Sequence, residues 1–219
     1  MQKLILSWSG GKDCALALYE LQRQPEHKVA GLLTTITKDY DRISMHGVRR
    51  TLLEEQAASL GIPLIKIFLP TKCTNEIYEQ AMSITMLELK EKGIDTIAFG
   101  DIYLEDLRAY REKNLAKAEM KAVFPLWKRD SKEIIATFLS LGFKAITSTV
   151  DSKKLGADFC GREINEEFIA ALPKDVDPCG ENGEFHTFCY AGPIFKSPVK
   201  FTIGEKVLRD GFWYCDLIH

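Results

Sequence analysis

Short apolar runs alternate with stretches of helical periodicity along most of this chain. Leu4, Ile5 and Leu6 read as a buried strand, which breaks at Ser9-Gly10-Gly11-Lys12-Asp13. A helical pattern follows, with Cys14, Leu18 and Leu21 on one face. Lys28–Ile36 is a second strand, and Val48–Leu60 a helix stopped by Gly61 and Pro63. Leu64–Phe68 is a third strand, and a long helix runs from Thr74 to Lys92 with Gly93 as its stop. Ile94–Phe99 forms a fourth strand ending in Gly100-Asp101. The charged Leu104–Ala122 segment is helical in pattern, Val123–Leu126 is a short strand, and Asp130 and Ser131 cap a further helix. Phe143–Thr149 reads as the sixth strand. Repeated strand–helix units predict an α/β fold, a Rossmann-like, mostly parallel sheet with helices on both faces.

The rhythm changes after Val150. Asp151–Gly161 reads as a loop, Glu163–Leu172 as a short helix and Asp175–Gly183 as a polar Pro/Gly segment. From Phe185 onward, short β-like runs alternate with turns, which predicts a small C-terminal α+β region built on antiparallel strands beside the main sheet. The expected division is 1–125 and 126–219, with no low-complexity linker and no internal repeat.

Composition narrows the function classes. A chain of 219 residues buries a substantial core, and a net charge of −2 argues against a general nucleic-acid or membrane-surface binder. No signal peptide or membrane-spanning apolar run is visible, so a soluble, cytoplasmic protein is expected. The cysteines at 14, 73, 160, 179, 189 and 215 include no C-x-x-C pair. Free thiols are therefore expected in preference to a zinc site, although Cys179 and Cys189 could pair.

The turn after the first strand carries the clearest chemistry. Glycines let backbone N–H groups approach an anion, and the first helical turn leaves its donors unpaired and positively polarised. Lys12 adds a point charge. Ser7, Ser9, Gly10, Gly11, Lys12, Asp13 and Cys14 are thus expected to hold a polyphosphate, with Cys14 a weak donor. Asp13 complements the helix dipole, and can equally contact metal or nucleotide. Ligands in open α/β sheets sit beyond the carboxyl ends of the strands, which adds Thr34 (with Thr35), Gly100 and Asp101 to one rim. Asp101 can hold Mg²⁺ or orient a substrate, or simply end its strand in a turn.

A second cluster, Asp177-Pro178-Cys179-Gly180-Glu181-Asn182-Gly183-Glu184-Phe185-His186-Thr187, packs carboxylates, a thiol, a histidine and an amide into eleven residues. Such carboxylates can orient an amine, accept its proton or bind metal; a solvated acidic loop is the alternative. His186 is a candidate proton carrier or an edge histidine. Arg49 is a candidate phosphate clamp, and Arg50 fits a solvated first helical turn. Arg111 can face the site from the helix after Gly100-Asp101, and Trp127 suits packing between sheet and tail.

Ser9-Gly10-Gly11-Lys12-Asp13 resembles the PP-loop of ATP pyrophosphatases, which split ATP between its α- and β-phosphates. Together with Met45-His46, Phe99-Gly100-Asp101-Ile102, Pro125-Leu126-Trp127 and Gly180-Glu181-Asn182-Gly183-Glu184-Phe185, it makes the chain similar to the diphthine–ammonia ligase family. That resemblance implies an ATP-binding domain at 1–125 and a family-specific substrate region at 126–219. It implies ATP and Mg²⁺ as cofactors, and adenylation of a carboxylate followed by attack of ammonia to give an amide, AMP and pyrophosphate. Lys12, Asp101, Glu184 and His186 are then the expected catalytic residues. His46, Gly180, Glu181, Asn182, Gly183 and Glu184 are the expected substrate contacts, and Asp101 the metal ligand. The partners implied are ATP, a carboxylate-bearing acceptor and ammonia, with homo-oligomerisation open, no membrane and no nucleic acid. No glutaminase elbow is evident and Gln2 follows Met1, so free ammonia or a separate protein is expected to supply nitrogen. The late motif departs from the family at Asn182, where a glycine is usual, and at His186, where a glutamate is usual. Those departures fall in the acceptor region and keep two alternatives open: an ATP-binding regulator without turnover, and a PP-loop hydrolase or tRNA-modifying enzyme.

Overall fold

The computed structural model describes residues 1–219. The first part comprises β1 (Gln2–Ser7), α1 (Lys12–Gln22), β2 (His27–Thr37), β3 (Arg42–Ile43), α2 (Arg50–Leu60), β4 (Leu64–Leu69), α3 (Asn75–Glu91), β5 (Thr96–Ala98), α4 (Glu105–Lys117) and β6 (Lys121–Val123). Its strands lie in the order β4-β2-β1-β5-β6, all parallel, with β3 antiparallel to the end of β2. The chain builds outward from β1 through β2 to β4, then returns to lay β5 and β6 on the opposite side. That reversal leaves a crevice at the carboxyl ends of β1 and β5, where doubly wound sheets bind ligands.

Local signals account for the helix ends. Thr74 caps α3 by accepting from the Ile77 amide, Asp130 accepts from Lys132 and Glu133, and Gly61 closes α2 in the left-handed conformation. Strand alternation sends Leu4 and Leu6 to one face of the sheet and Ile5 to the other. Seven of the eleven residues of α1 are buried on the first face, which α2 also covers. The second face is covered by α3 and α4, of which only Met86, Leu89 and Leu115 are buried.

The remaining elements are α5 (Ser131–Ser140), β7 (Lys144–Asp151), α6 (Glu166–Ala171), β8 (Phe185–Ala191), β9 (Thr202–Arg209) and β10 (Phe212–Ile218). Their four strands form an antiparallel sheet in the order β8-β7-β10-β9. The expected sixth strand of the main sheet is thus the second strand of a different one. Periodicity marks 144–151 as a strand, but its ladder partners are supplied by chain beyond residue 184. The expected Val123–Leu126 strand starts earlier, as Lys121–Val123, because α4 ends at Lys117. Core residues of α1, α2 and α5 join Ala145, Phe188, Cys215 and Leu217 of the second sheet in one continuous apolar cluster. Asp216 of β10 adds a polar tie, receiving Arg42 and Arg49 at 2.7–2.9 Å, and the paired guanidiniums hold its carboxyl down at about 2. Arg49 is therefore spent on the second sheet and Arg50 on Asp41 and Glu54, so neither is a phosphate clamp.

Candidate functional site

The loop after β1 is held from three directions. Gly10 has a φ of +81° and lies so close to α2 that a Cβ would meet Leu53 at 2.7 Å and Gln56 at 2.8 Å. Its carbonyl accepts from Gln56 Nε2 at 2.9 Å and from the Cys189 amide of β8 at 2.8 Å. Gln56 is fully buried; it also donates to the Cys189 carbonyl and accepts from Trp8 Nε1 at 3.0 Å. On the other side of the loop, the Lys12 amide donates to Thr187 Oγ1 at 3.0 Å. The amides of Asp13 and Cys14 find no acceptor in the chain. Two oriented N–H groups thus remain at the head of α1.

Lys12 is buried, with Nζ 2.8 Å from both Asp13 oxygens and donating to the Cys179 carbonyl. Burial is the largest influence and works against its charge, but the facing Asp13 carboxylate together with Cys179 and Glu181 offsets it and holds the ammonium above its ordinary value. Gly100 serves a purpose beyond ligand approach. A Cβ there would lie 3.0 Å from the backbone of Asp13 and Cys14, so the glycine lets the end of β5 abut the first turn of α1. Cys14 donates back to the Gly11 carbonyl, and burial pushes its thiol up to about 11.

These groups converge on a cavity of about 240 Å³ lined by Ser7, Ser9, Lys12, Asp13, Gly100 and Asp101, with Gly180, Glu181, Gly183 and His186 opposite. It adjoins a larger cavity of about 750 Å³ beside Trp8, Thr34, Thr35 and Phe99, the two sharing His46, His186 and Arg111. Thr34 Oγ1 borders the larger space, buried and without a partner. An apolar chamber with one unspent hydroxyl, opening onto a pocket of amide and cationic donors, suits a base and its phosphates. Asp101 is gripped by Arg111 through two nitrogens, with the guanidinium 4.3 Å over the Phe99 ring.

The Gly180–Thr187 segment divides into scaffold and wall. Glu184 is buried and accepts from the amides of Asp177 and Asn182 and from the Asn182 side chain, each at 3.0 Å. Neither Glu184 nor Asn182 lines the cavity; both shape the turn that presents their neighbours. The carboxylate that faces inward is Glu181, oriented by the amides of Ile102 at 2.7 Å and Tyr103 at 3.3 Å. Burial raises it to about 7 despite those donors. The rings of His46 and His186 lie 4.4 Å apart, and desolvation lowers both, His186 to about 4. Both imidazoles are therefore neutral at pH 7, leaving Lys12 and Arg111 as the cations at the cavity. His46 Nδ1 is buried without a partner.

Sequence patterns do not mark Gln56, and they place Thr187 in the late cluster without its contact to the loop, since the contacts that matter reach across 133 and 175 positions. An isolated polar residue on the apolar side of α2 was the available signal for Gln56. Trp127 packs beside Phe124 and under the Arg108 guanidinium. All six cysteines are free thiols, and only Cys73 is exposed.

The chain resembles characterised proteins along most of its length. Residues 1–122 match the diphthamide synthase N-terminal domain and residues 130–218 the diphthamide synthase C-terminal domain. Diphthine–ammonia ligase of Bos taurus is 27% identical over 143 residues, which cover 63% of this chain and 53% of that protein. The Homo sapiens protein of that name is 26% identical over 145 residues, covering 64% and 54%, and that of Danio rerio 28% over 129 residues, covering 55% and 49%. The chain spans about half the length of the curated relatives it matches. A solved U34-tRNA thiolase from Methanococcus maripaludis is 20% identical and superimposes with a TM-score of 0.38, covering 64% of this chain and 57% of that one, a likeness too slight to bear on function. With both domain models matched in order, this chain belongs to the diphthamide synthase family.

Proposed function

We propose that this protein is an ATP-dependent amide-forming ligase that adenylates a carboxylate and then uses ammonia, releasing AMP and pyrophosphate. One observation carries the reading: the glycine loop after β1 and the Gly180–Thr187 segment are bonded into a single cavity, with phosphate donors on one wall and Glu181 on the other. A carboxylate is a poor electrophile, and adenylation gives it a good leaving group. The free amides of Asp13 and Cys14, with the Lys12 charge, stabilise negative charge on the departing pyrophosphate.

Ammonia attacking the acyl adenylate displaces AMP and sheds one proton. Glu181 takes that proton, as a carboxylate poised near neutrality and facing the cavity. His46 and His186 act as neutral hydrogen-bond partners at the junction of the two cavities, where an added cation would compete with Lys12. Asp13 and Asp101 line the cavity and would be the residues to hold magnesium, which prefers one or two carboxylates supplemented by phosphate oxygens, in exchange for part of their pairing with Lys12 and Arg111. When bound, the metal would supply charge neutralisation on those oxygens. His186, which lines the cavity, and Asn182, which shapes the turn behind it, differ from the usual family motif, and this supports an acceptor that differs as well.

The test is the fate of ATP in the presence of ammonium and candidate carboxylates. AMP and pyrophosphate that depend on both co-substrates support the ligase; ADP, or ATP intact for hours, sinks it. Lys12→Ala should weaken ATP binding roughly tenfold or more, as expected for losing a charge-assisted contact.

A further inference from the structure

The α3–α4 side of the main sheet holds a cavity that the proposed reaction does not use. It measures about 300 Å³ and lies between the two helices, bounded by Tyr78, Met82, Met86, Phe99, Tyr110 and Leu115. Its walls are mostly apolar, and few side chains of either helix are buried, so the space is a gap between loosely seated helices. Among the polar groups on its surface Glu79 and Lys117 neutralise each other at 2.8 Å, and three others keep hydrogen-bonding capacity unspent. Arg111 offers five N–H donors, of which Asp101 takes two, leaving three. The Asn114 amide and the Tyr78 hydroxyl also lack partners within the chain. Tyr78, Met82, Phe99, Leu115 and Arg111 line both this cavity and the larger one of the nucleotide region, so they form the partition between the two, and Arg111 borders the smaller nucleotide cavity as well.

An apolar chamber with a planar, partly free guanidinium at its inner end selects a particular chemistry. A carboxylate matches the fork of N–H groups, and an aromatic or short aliphatic body fills the remaining space. We infer that the α3–α4 cavity binds an apolar carboxylic acid whose carboxylate pairs with Arg111, at a site that shares a wall with that of ATP without overlapping it. Because the same guanidinium holds Asp101, occupancy would be felt in the nucleotide cavity without any displacement of ATP.

Calorimetry with 4-phenylbutyrate, and with 4-phenylbutanol as its uncharged counterpart, tests this on the full chain. The acid should bind one to one and roughly tenfold or more tighter than the alcohol, the size expected for a charge-assisted contact. Arg111→Gln should remove the difference between acid and alcohol. Ser83→Trp, at the exposed mouth, should abolish binding of both while ATP binding is unchanged. Saturating ATP should not displace the acid. Equal affinities for acid and alcohol, binding that survives Ser83→Trp, or displacement by ATP would each overturn the inference. If Arg111→Gln does not fold, the acid–alcohol comparison and Ser83→Trp still decide it. None of these readouts depends on ATP turnover, so failure here is distinct from failure of the ligase reading.

Discussion

The two faces of the parallel sheet solve different problems. On the α1–α2 face, buried residues form a core of 39 that runs without a break into the second sheet. On the α3–α4 face the buried cluster has only 11 members, and Ile84 and Leu87 of α3 remain more than half exposed. The dense face holds the glycine loop, whose free amides, on the proposed reading, must be fixed before a nucleotide arrives. The looser face leaves a cavity, and a helix pair able to accommodate a guest. Rigidity and vacancy are thus divided between opposite sides of the same strands, with Arg111 the side chain that touches both.

The largest effect that would break this contrast is cavity creation on the dense face. Leu18→Ala removes a side chain with 0% exposure and should cost about 2–5 kcal/mol in urea unfolding. Gln56→Leu should come next, at about 2–3 kcal/mol, because it strands Trp8 Nε1 and the Cys189 carbonyl; it should also weaken ATP binding measured by calorimetry. A loss of stability without loss of ATP affinity would show that the loop keeps its shape unaided.

The third test concerns Glu181. Its acid form persists to about 7 in the folded protein, whereas an unfolded glutamate ionises near 4.5. The folded state therefore binds more protons between those values, and stability should fall as pH rises across that window, then level off. The fall should be about 1–2 kcal/mol after allowance for the solvent at the carboxylate's open side. Glu181→Gln should flatten it, which urea midpoints at pH 5 and pH 8 would show. The smallest effect is expected on the loose face: Ile84→Ala, at a position 54% exposed, should change stability by no more than about 0.5 kcal/mol. A cost similar to that of Leu18→Ala would mean that α3 is covered in solution.

Local patterns in the sequence reach a definite distance into this molecule. The strand–turn–helix around Gly10, the Thr74 and Asp130 caps and the Gly61 stop are each written within a few residues, and all form as read. Sheet membership of 144–151 is not, because the strand period is the same whichever partners complete the ladder. The late motif shows the same boundary at the scale of single side chains. Glu181 and Glu184 occupy one acidic, glycine-rich stretch and look interchangeable by composition. Only the path of the turn sends Glu184 inward to its own amides and Glu181 toward Ile102 and the cavity. The bidentate Asp101–Arg111 pair needs the helix phase of α4 as well as its charge, and a charged helix offers many phases that look alike.

The acceptors and donors that hold the glycine loop have a consequence for how the chain is made. Gly10 waits for Cys189, Lys12 for Thr187 and the Cys179 carbonyl. During synthesis the glycine loop emerges well over a hundred residues before the segment 179–189 that completes its contacts. Such long-separation contacts are slow to form. On the proposed reading, ATP would recognise the completed fold in preference to any partial one and draw the final assembly forward by mass action. A nucleotide bound at this loop would thereby certify that synthesis has reached the second sheet.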